Sequence, residues 1–197
     1  MLLSDLRLKF ARDLIGHWVH IRGGALVPLD EDIDPRELLR SFEFLAIADL
    51  SRPAEVNLEL VGAGLVRRFG RDIRNVNWMD LVPPELGAAA TRARERIRSV
   101  PCGAYYKFSA ARAGAAAVTA ETLALPLRRR IADVPYAVIA VTRDTDGGNP
   151  PAGWFAASAQ LEHFFGELVD IGAGLPDPFQ DQRDFRGGTG TTRGGAA

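Results

Sequence analysis

Apolar residues recur at helical spacing at the start of the chain. Leu3, Leu6, Phe10, Leu14, Trp18 and Ile21 form one stripe, Ser4 or Asp5 stands where a cap belongs, and Gly23-Gly24 ends the run. The stripe is wide and aromatic, so this helix has to bury it on its own domain or on a partner. In "VPLDEDIDPRELL" a loop leads into a short helix capped by Asp34, with Pro35 at its first position and Glu37 in its first turn. "FEFLAIADL" is a strand, Ser51-Arg52-Pro53 turns it back, and Val56, Leu58 and Leu60 alternate with Asn57 and Glu59 as its antiparallel partner. Gly62 and Gly64 end that second strand. Leu65, Val66 and Phe69 fit one face of a short helix that Gly70 stops.

Asn75 follows, a residue that tolerates left-handed backbone, and Trp78, Leu81 and Val82 form a second apolar cluster. Residues 85–100 read as a helix seamed by Leu86, Ala90, Ala93 and Ile97, with its arginines mostly on other faces and Pro101 at its end. Three strands are expected at 104–111, 118–127 and 135–142, joined by turns near Gly114 and through Ile131-Ala132-Asp133. "AVIAV" in the last is apolar at consecutive positions, as in a central strand covered on both faces. "DTDGGNPPAG" is a linker by composition. The stretch from Trp154 to Asp177 holds a short helix and then an added strand at 168–171, and the Gly-rich end has little to bury. The chain thus divides into an amphipathic helix (1–22), a domain (23–145), a C-terminal extension (146–186) and a disordered tail (187–197).

The order strand, "GAGLVRRFGRDI", aromatic, "DLVPPE", long helix resembles a PAS domain. It is most similar to the single-PAS family common in alphaproteobacteria, matching at Gly62, at Phe69-Gly70-Arg71-Asp72-Ile73 and at Leu125-Pro126-Leu127. The similarity covers roughly residues 18–143. Glu59 stands where that family has Arg, and Asn75 where it has Gly. The resemblance implies an α+β fold: a five-stranded antiparallel sheet with short helices on one face, the N-terminal helix on the other, and the last strand in the centre. A dinucleotide fingerprint competes for the same glycines, but Arg67 occupies the place of its third Gly.

Charge and composition narrow the function. The 197 residues carry 24 basic and 25 acidic side chains, net -1, with no basic excess of the kind nucleic acid requires. Cys102 is the only cysteine, which excludes an internal disulfide and favours a reducing compartment. The start lacks a signal-peptide core, and "VPYAVIAV" is too short to span a membrane, so a cytoplasmic protein is expected.

Catalytic chemistry finds little footing. Asp13, His17 and His20 share the helix side opposite the apolar stripe. That spacing suits metal ligands, but no zinc-type motif supports it, and an exposed polar face is the plainer reading. Cys102 follows Pro101 with no nearby histidine signature, and packing is its expected role. No nucleophile elbow, P-loop or kinase motif occurs. The "DEDID" carboxylates lack an apolar pocket to shift them. No catalytic residue, metal ligand or particular cofactor is therefore assigned. "NVNWMDL" lacks the cysteine motif of flavin photosensors, and the 85–100 helix lacks a haem histidine.

What the resemblance implies is a pocket between the sheet and the short helices, lined by Phe69, Trp78, Met79, Tyr106, Phe108 and Tyr136, unless these simply fill the core. The expected function is a stand-alone sensory or interaction module in bacterial signalling. It would bind a small ligand or a protein partner, pair as a homodimer through the N-terminal helix, and pass its output to a partner. A ligand-free adapter and a small α+β cone isomerase or hydratase are the alternatives.

Overall fold

Leu123, Leu125 and Leu127 go to one face of a sheet and Ala124 goes to the other. This division of large from small runs through the whole fold. The computed structural model describes residues 2–3, 11–39, 41–52, 54–111, 117–130, 135–144, 160–176 and 180–184. In chain order it has helix α1 (Arg12–Arg22), strands β1 (Leu45–Asp49) and β2 (Asn57–Val61), helices α2 (Ala63–Phe69) and α3 (Gly87–Ser99), and strands β3 (Gly103–Ala111), β4 (Val118–Arg128), β5 (Pro135–Asp144), β6 (Gln160–Val169) and β7 (Gln180–Asp184).

The sheet order is β2-β1-β5-β4-β3-β6-β7, and every pairing is antiparallel. The expected five strands are present with β5 at their centre, and the fold is α+β. The antiparallel ladder rules out the dinucleotide reading, which needs parallel strands. Two further strands continue beyond β3. Residues 160–169, expected to include helix, form strand β6 and pair with β3 along its full length. The physical reason is that β3 would otherwise present an unpaired edge, and β6 has apolar residues for both faces: Phe164 and Leu168 on one, Phe165 and Val169 on the other. Residues 154–159, the first part of that expected helix, lie outside the described residues. So do the Gly114 and Ile131–Asp133 turns, most of the linker and the tail.

Helix α1 covers the leucine face. Leu14 and Trp18 are fully buried against Leu45, Leu123, Leu125, Leu127 and Ile139. The chain at 4–10, with Leu6, Phe10 and the expected caps, lies outside the described residues, and Gly23 ends the helix as expected. Trp18 Nε1 donates to the Pro126 carbonyl at 2.8 Å. Pro126 lies two residues beyond the last β3–β4 pair and has no N–H to offer. Its carbonyl is therefore free to accept from the helix. Arg128 N–H is met on the same strand by the Pro28 carbonyl at 2.9 Å.

Several local expectations are corrected. His17 is buried, because the loop carrying Val27 and Leu38 folds over the flank of α1; its Nε2 accepts from the Asp34 N–H at 3.0 Å. Residues 35–39 make successive tight turns rather than a helix, the run being too short to nucleate one. Asp34 still caps the turn, accepting from the Arg36 N–H at 2.9 Å. Phe42–Phe44 is a 3-10 turn that precedes β1. A 3-10 turn at Pro84–Leu86 also precedes α3 and shifts its phase, so Ala89 is buried where Ala90 was expected. Gly70 and Asn75 adopt left-handed backbone as the sequence suggests, with φ 67° and 60°.

Candidate functional site

The inner face of the sheet, opposite α1, is floored by alanines. Ala46 of β1 pairs with Ala140 of β5, Ala140 with Ala124 of β4, and Ala124 with Ala104 of β3. All four belong to the apolar cluster on this face, and the row ends at Leu168 of β6. One strand position away, the α1 face carries Leu45, Leu123, Leu125 and Ile139. Among the described residues, the largest side chains wholly removed from solvent all lie in the α1-side cluster, apart from Ile73 and Pro28. On the alanine side, Ala46 and Ala140 keep accessible surface although they stand mid-sheet. Small side chains thus line this face on four strands, Ala104 and Ala124 buried and Ala46 and Ala140 partly so, and the short helices pack over it.

The roof is built by the segment after α2. Gly62 lets the chain leave β2, since a Cβ there would strike the carbonyl oxygens of Phe42 and Glu43. After α2, residues 75–78 return along the outer edge of β2: Asn75 N–H donates to Leu58 O, Leu58 N–H to Val76 O and Trp78 N–H to Val56 O, at 2.7–3.1 Å. The Asn77 side chain fixes the next turn. Its Oδ1 accepts from Val56 N–H at 2.9 Å and from Met79 N–H at 3.2 Å. This places Met79 against the alanine-side cluster and sets Trp78 edge-on to Phe69, centroids 6.1 Å apart. The second wall, α3, is tied to the same hairpin by Arg94. Its guanidinium is buried and donates to the carbonyls of Glu55, Leu50 and Arg52. Burial lowers its pKa from the ordinary value, and nearby Arg98 adds to the effect.

Tyr106 and Cys102 stand on the floor. Tyr106 keeps accessible surface, yet burial raises its phenol well above the ordinary value, with the Cys102 thiol contributing. Cys102 is fully buried, and desolvation, then Asp170, pushes its thiol up to about 12. It is a neutral packing residue at physiological pH, as expected.

The sequence-predicted lining is thus partly gathered. Phe69, Met79 and Tyr106 pack on one cluster, and Trp78 joins them through Phe69 while 39% exposed. Phe108 follows Tyr106 along β3 on the same face, pairing in register with Phe164. The Tyr136 side chain lies outside the described residues. Sequence reasoning missed the alanine row, Phe164, Asn77 and Arg94. The alternation in "LAIAD", "TLALPL" and "AVIAV" carried the first of these. Glu59, the charge that departs from the single-PAS pattern, pairs with Arg129, which also reaches Asp30 at 3.1 Å and Asp49 at 3.6 Å. Among the described residues no group of three or more His, Cys, Asp or Glu could hold a metal, and no helix is long and apolar enough to cross a membrane.

An antiparallel sheet in the order 2-1-5-4-3, with short helices over one face, is an α+β domain of the expected architecture. A family model described as PAS domain matches residues 7–139, and the chain belongs to that family. No curated protein and no solved structure matches the chain.

Proposed function

We propose that the protein is a sensory module of bacterial signalling that holds a small ligand in the alanine-floored recess and reports its occupancy to a protein partner. The observation that supports this most directly is the in-register row Ala46, Ala140, Ala124 and Ala104, of which Ala46 and Ala140 keep accessible surface. Phe69, Trp78, Met79, Tyr106 and Phe108 supply an apolar lining, Tyr136 is assigned to it from the sequence, and the Tyr106 hydroxyl is a polar handle. The reading is non-catalytic: both titratable groups at the floor are pushed toward their neutral forms. The site of action is cytoplasmic, with no nucleic-acid partner.

Homodimerisation is proposed through the outer side of α1. Leu14 and Trp18 are used against the chain's own sheet, and Val19, 42% exposed, is an apolar residue left outside. A Val19→Glu variant that stays at the wild-type mass in solution would remove this part of the proposal.

Native mass spectrometry of the purified protein, with its absorption spectrum, tests the ligand reading. A mass excess that is lost on denaturation, or a chromophore band, is expected. A protein that is empty and gains no thermal stability from any small molecule is an adapter instead.

A further inference from the structure

Three of the large apolar side chains exposed among the described residues gather around one loop. They are Leu2, Leu26 and Leu175, each 40–48% exposed. The main chain at Leu2 bridges to Asp170, and the Leu3 N–H donates to the Asp170 carbonyl at 2.8 Å. Leu26 lies just beyond the end of α1, its Cδ1 4.0 Å from where a Cβ on Gly172 would stand. Leu175 follows three residues later on the same loop. The Asp170 carboxylate fixes that loop by accepting the N–H groups of Gly172 at 2.7 Å and Gly174 at 3.0 Å, and both glycines hold positive φ, 111° and 80°. At its base Val169 and Ile171 are buried in the α1-side cluster. The loop is therefore anchored on the core while it turns Leu175 outward.

Arg22, in the last turn of α1, stands beside these leucines. Its Nη1 donates to the Ile171 carbonyl at 2.9 Å, and its guanidinium lies 5.2 Å from the Trp18 ring centroid. Arg36, Arg67, Arg74, Arg129 and Arg130 each meet an Asp or Glu, whereas Arg22 has no carboxylate partner among the described residues. A guanidinium has five N–H donors in a fork that matches a carboxylate. An exposed apolar patch bordered by such a cation calls for an apolar surface that carries an anion.

We infer that this patch is the docking surface for the protein partner, and that the partner presents an acidic amphipathic segment. Its apolar residues cover Leu2, Leu26 and Leu175, and its carboxylate pairs with Arg22. This rests on the reading above that occupancy is reported to a protein partner. One arginine is too little charge to hold a lipid surface, which draws on clusters of basic residues.

Isothermal titration calorimetry of the full chain against two helical peptides tests the surface. One is built of leucine and glutamate, the other of leucine and lysine in the same repeat. The net charge of -1 gives the acidic peptide no general advantage. Wild type is expected to bind it at least tenfold more tightly than the basic one. Leu26→Ser and Leu175→Ser should each weaken that binding at least threefold, and Leu39→Ser, exposed on the 35–39 turns, should stay within twofold of wild type. Arg22→Gln should cut the preference for the acidic peptide to threefold or less, and Arg22→Lys, which keeps the charge, should retain it. Equal binding of the two peptides by wild type overturns the acidic class. Unchanged binding by both leucine variants overturns the location. Cosedimentation with phosphatidylserine vesicles without peptide binding assigns the patch to a membrane and overturns the partner. A wild type that binds neither peptide overturns the inference and leaves the ligand reading to the native mass measurement above.

Discussion

Ala124 and Ala140 are register partners on neighbouring strands in the middle of the sheet, and Ala140 keeps solvent-accessible surface there. Their neighbours Leu123, Leu125 and Ile139 are fully buried on the reverse face. A sheet packed equally on both sides would bury its central positions on both. Here α1 packs large side chains on one side, while α2, the 75–81 segment and α3 lie over a floor of small residues on the other.

The walls depend on Arg94. Its side chain serves three carbonyls of the β1–β2 connection from within a helix, and no neutral residue replaces that fork. Arg94→Met should lower stability by roughly 2–3 kcal/mol, because buried carbonyls lose a charged donor. Lys at the same position should recover less than half, since one ammonium cannot span all three. Urea unfolding midpoints measure both.

Asn77 orders the Trp78 turn through a single oxygen that two backbone N–H groups share. Asn77→Ala should cost about 1–2 kcal/mol and raise the acrylamide quenching of tryptophan emission as Trp78 loosens. Asn77→Asp keeps the acceptor and should behave as wild type in both measurements.

Trp18 anchors α1 by packing and by its bond to Pro126. Trp18→Phe keeps most of the packing and strands a buried carbonyl, for an expected loss of about 1–3 kcal/mol. The comparison with Leu14→Ala, which removes packing only and should cost about 2–5 kcal/mol, separates the two contributions in thermal melts.

Cys102 sets an alkaline limit. Its thiol is raised from 9.0 to about 12 in the folded chain, chiefly by burial. Below pH 9 it is protonated in both states and its contribution to stability is complete. Between pH 9 and about 12 only the unfolded chain loses the proton, so stability falls as pH rises. Cys102→Ala should delay the onset of that fall. It should not abolish it, because Tyr105 and Tyr106 are raised as well and act above pH 10. Native Cys102 should resist iodoacetamide at pH 8 and react once urea is added.

Much of the frame was legible in the residues. Gly23, Gly70 and Asn75 mark chain reversals by backbone geometry alone, and strand periodicity located β1 to β5. Other features depended on tertiary partners. His17 sits on what a helical wheel calls the polar side, and only the loop folding over it makes it buried. Arg94 reads as one member of an arginine series; its role comes from three carbonyls more than forty positions away in two cases. In "QLEHFFGELV", apolar residues on both faces suit a helix or a covered strand equally, and the unpaired edge of β3 decides between them. For the site, aromatic positions were readable but the alanine row was not. It is made of residues on four strands that only the register brings together.

Ala140→Leu tests the proposed recess over the alanine row most directly, by its urea unfolding midpoint against wild type. Over an open floor the added side chain finds room, and the midpoint should hold or rise. In a filled core the same change forces overlap costing about 1–3 kcal/mol, and a fall of that size would contradict the account.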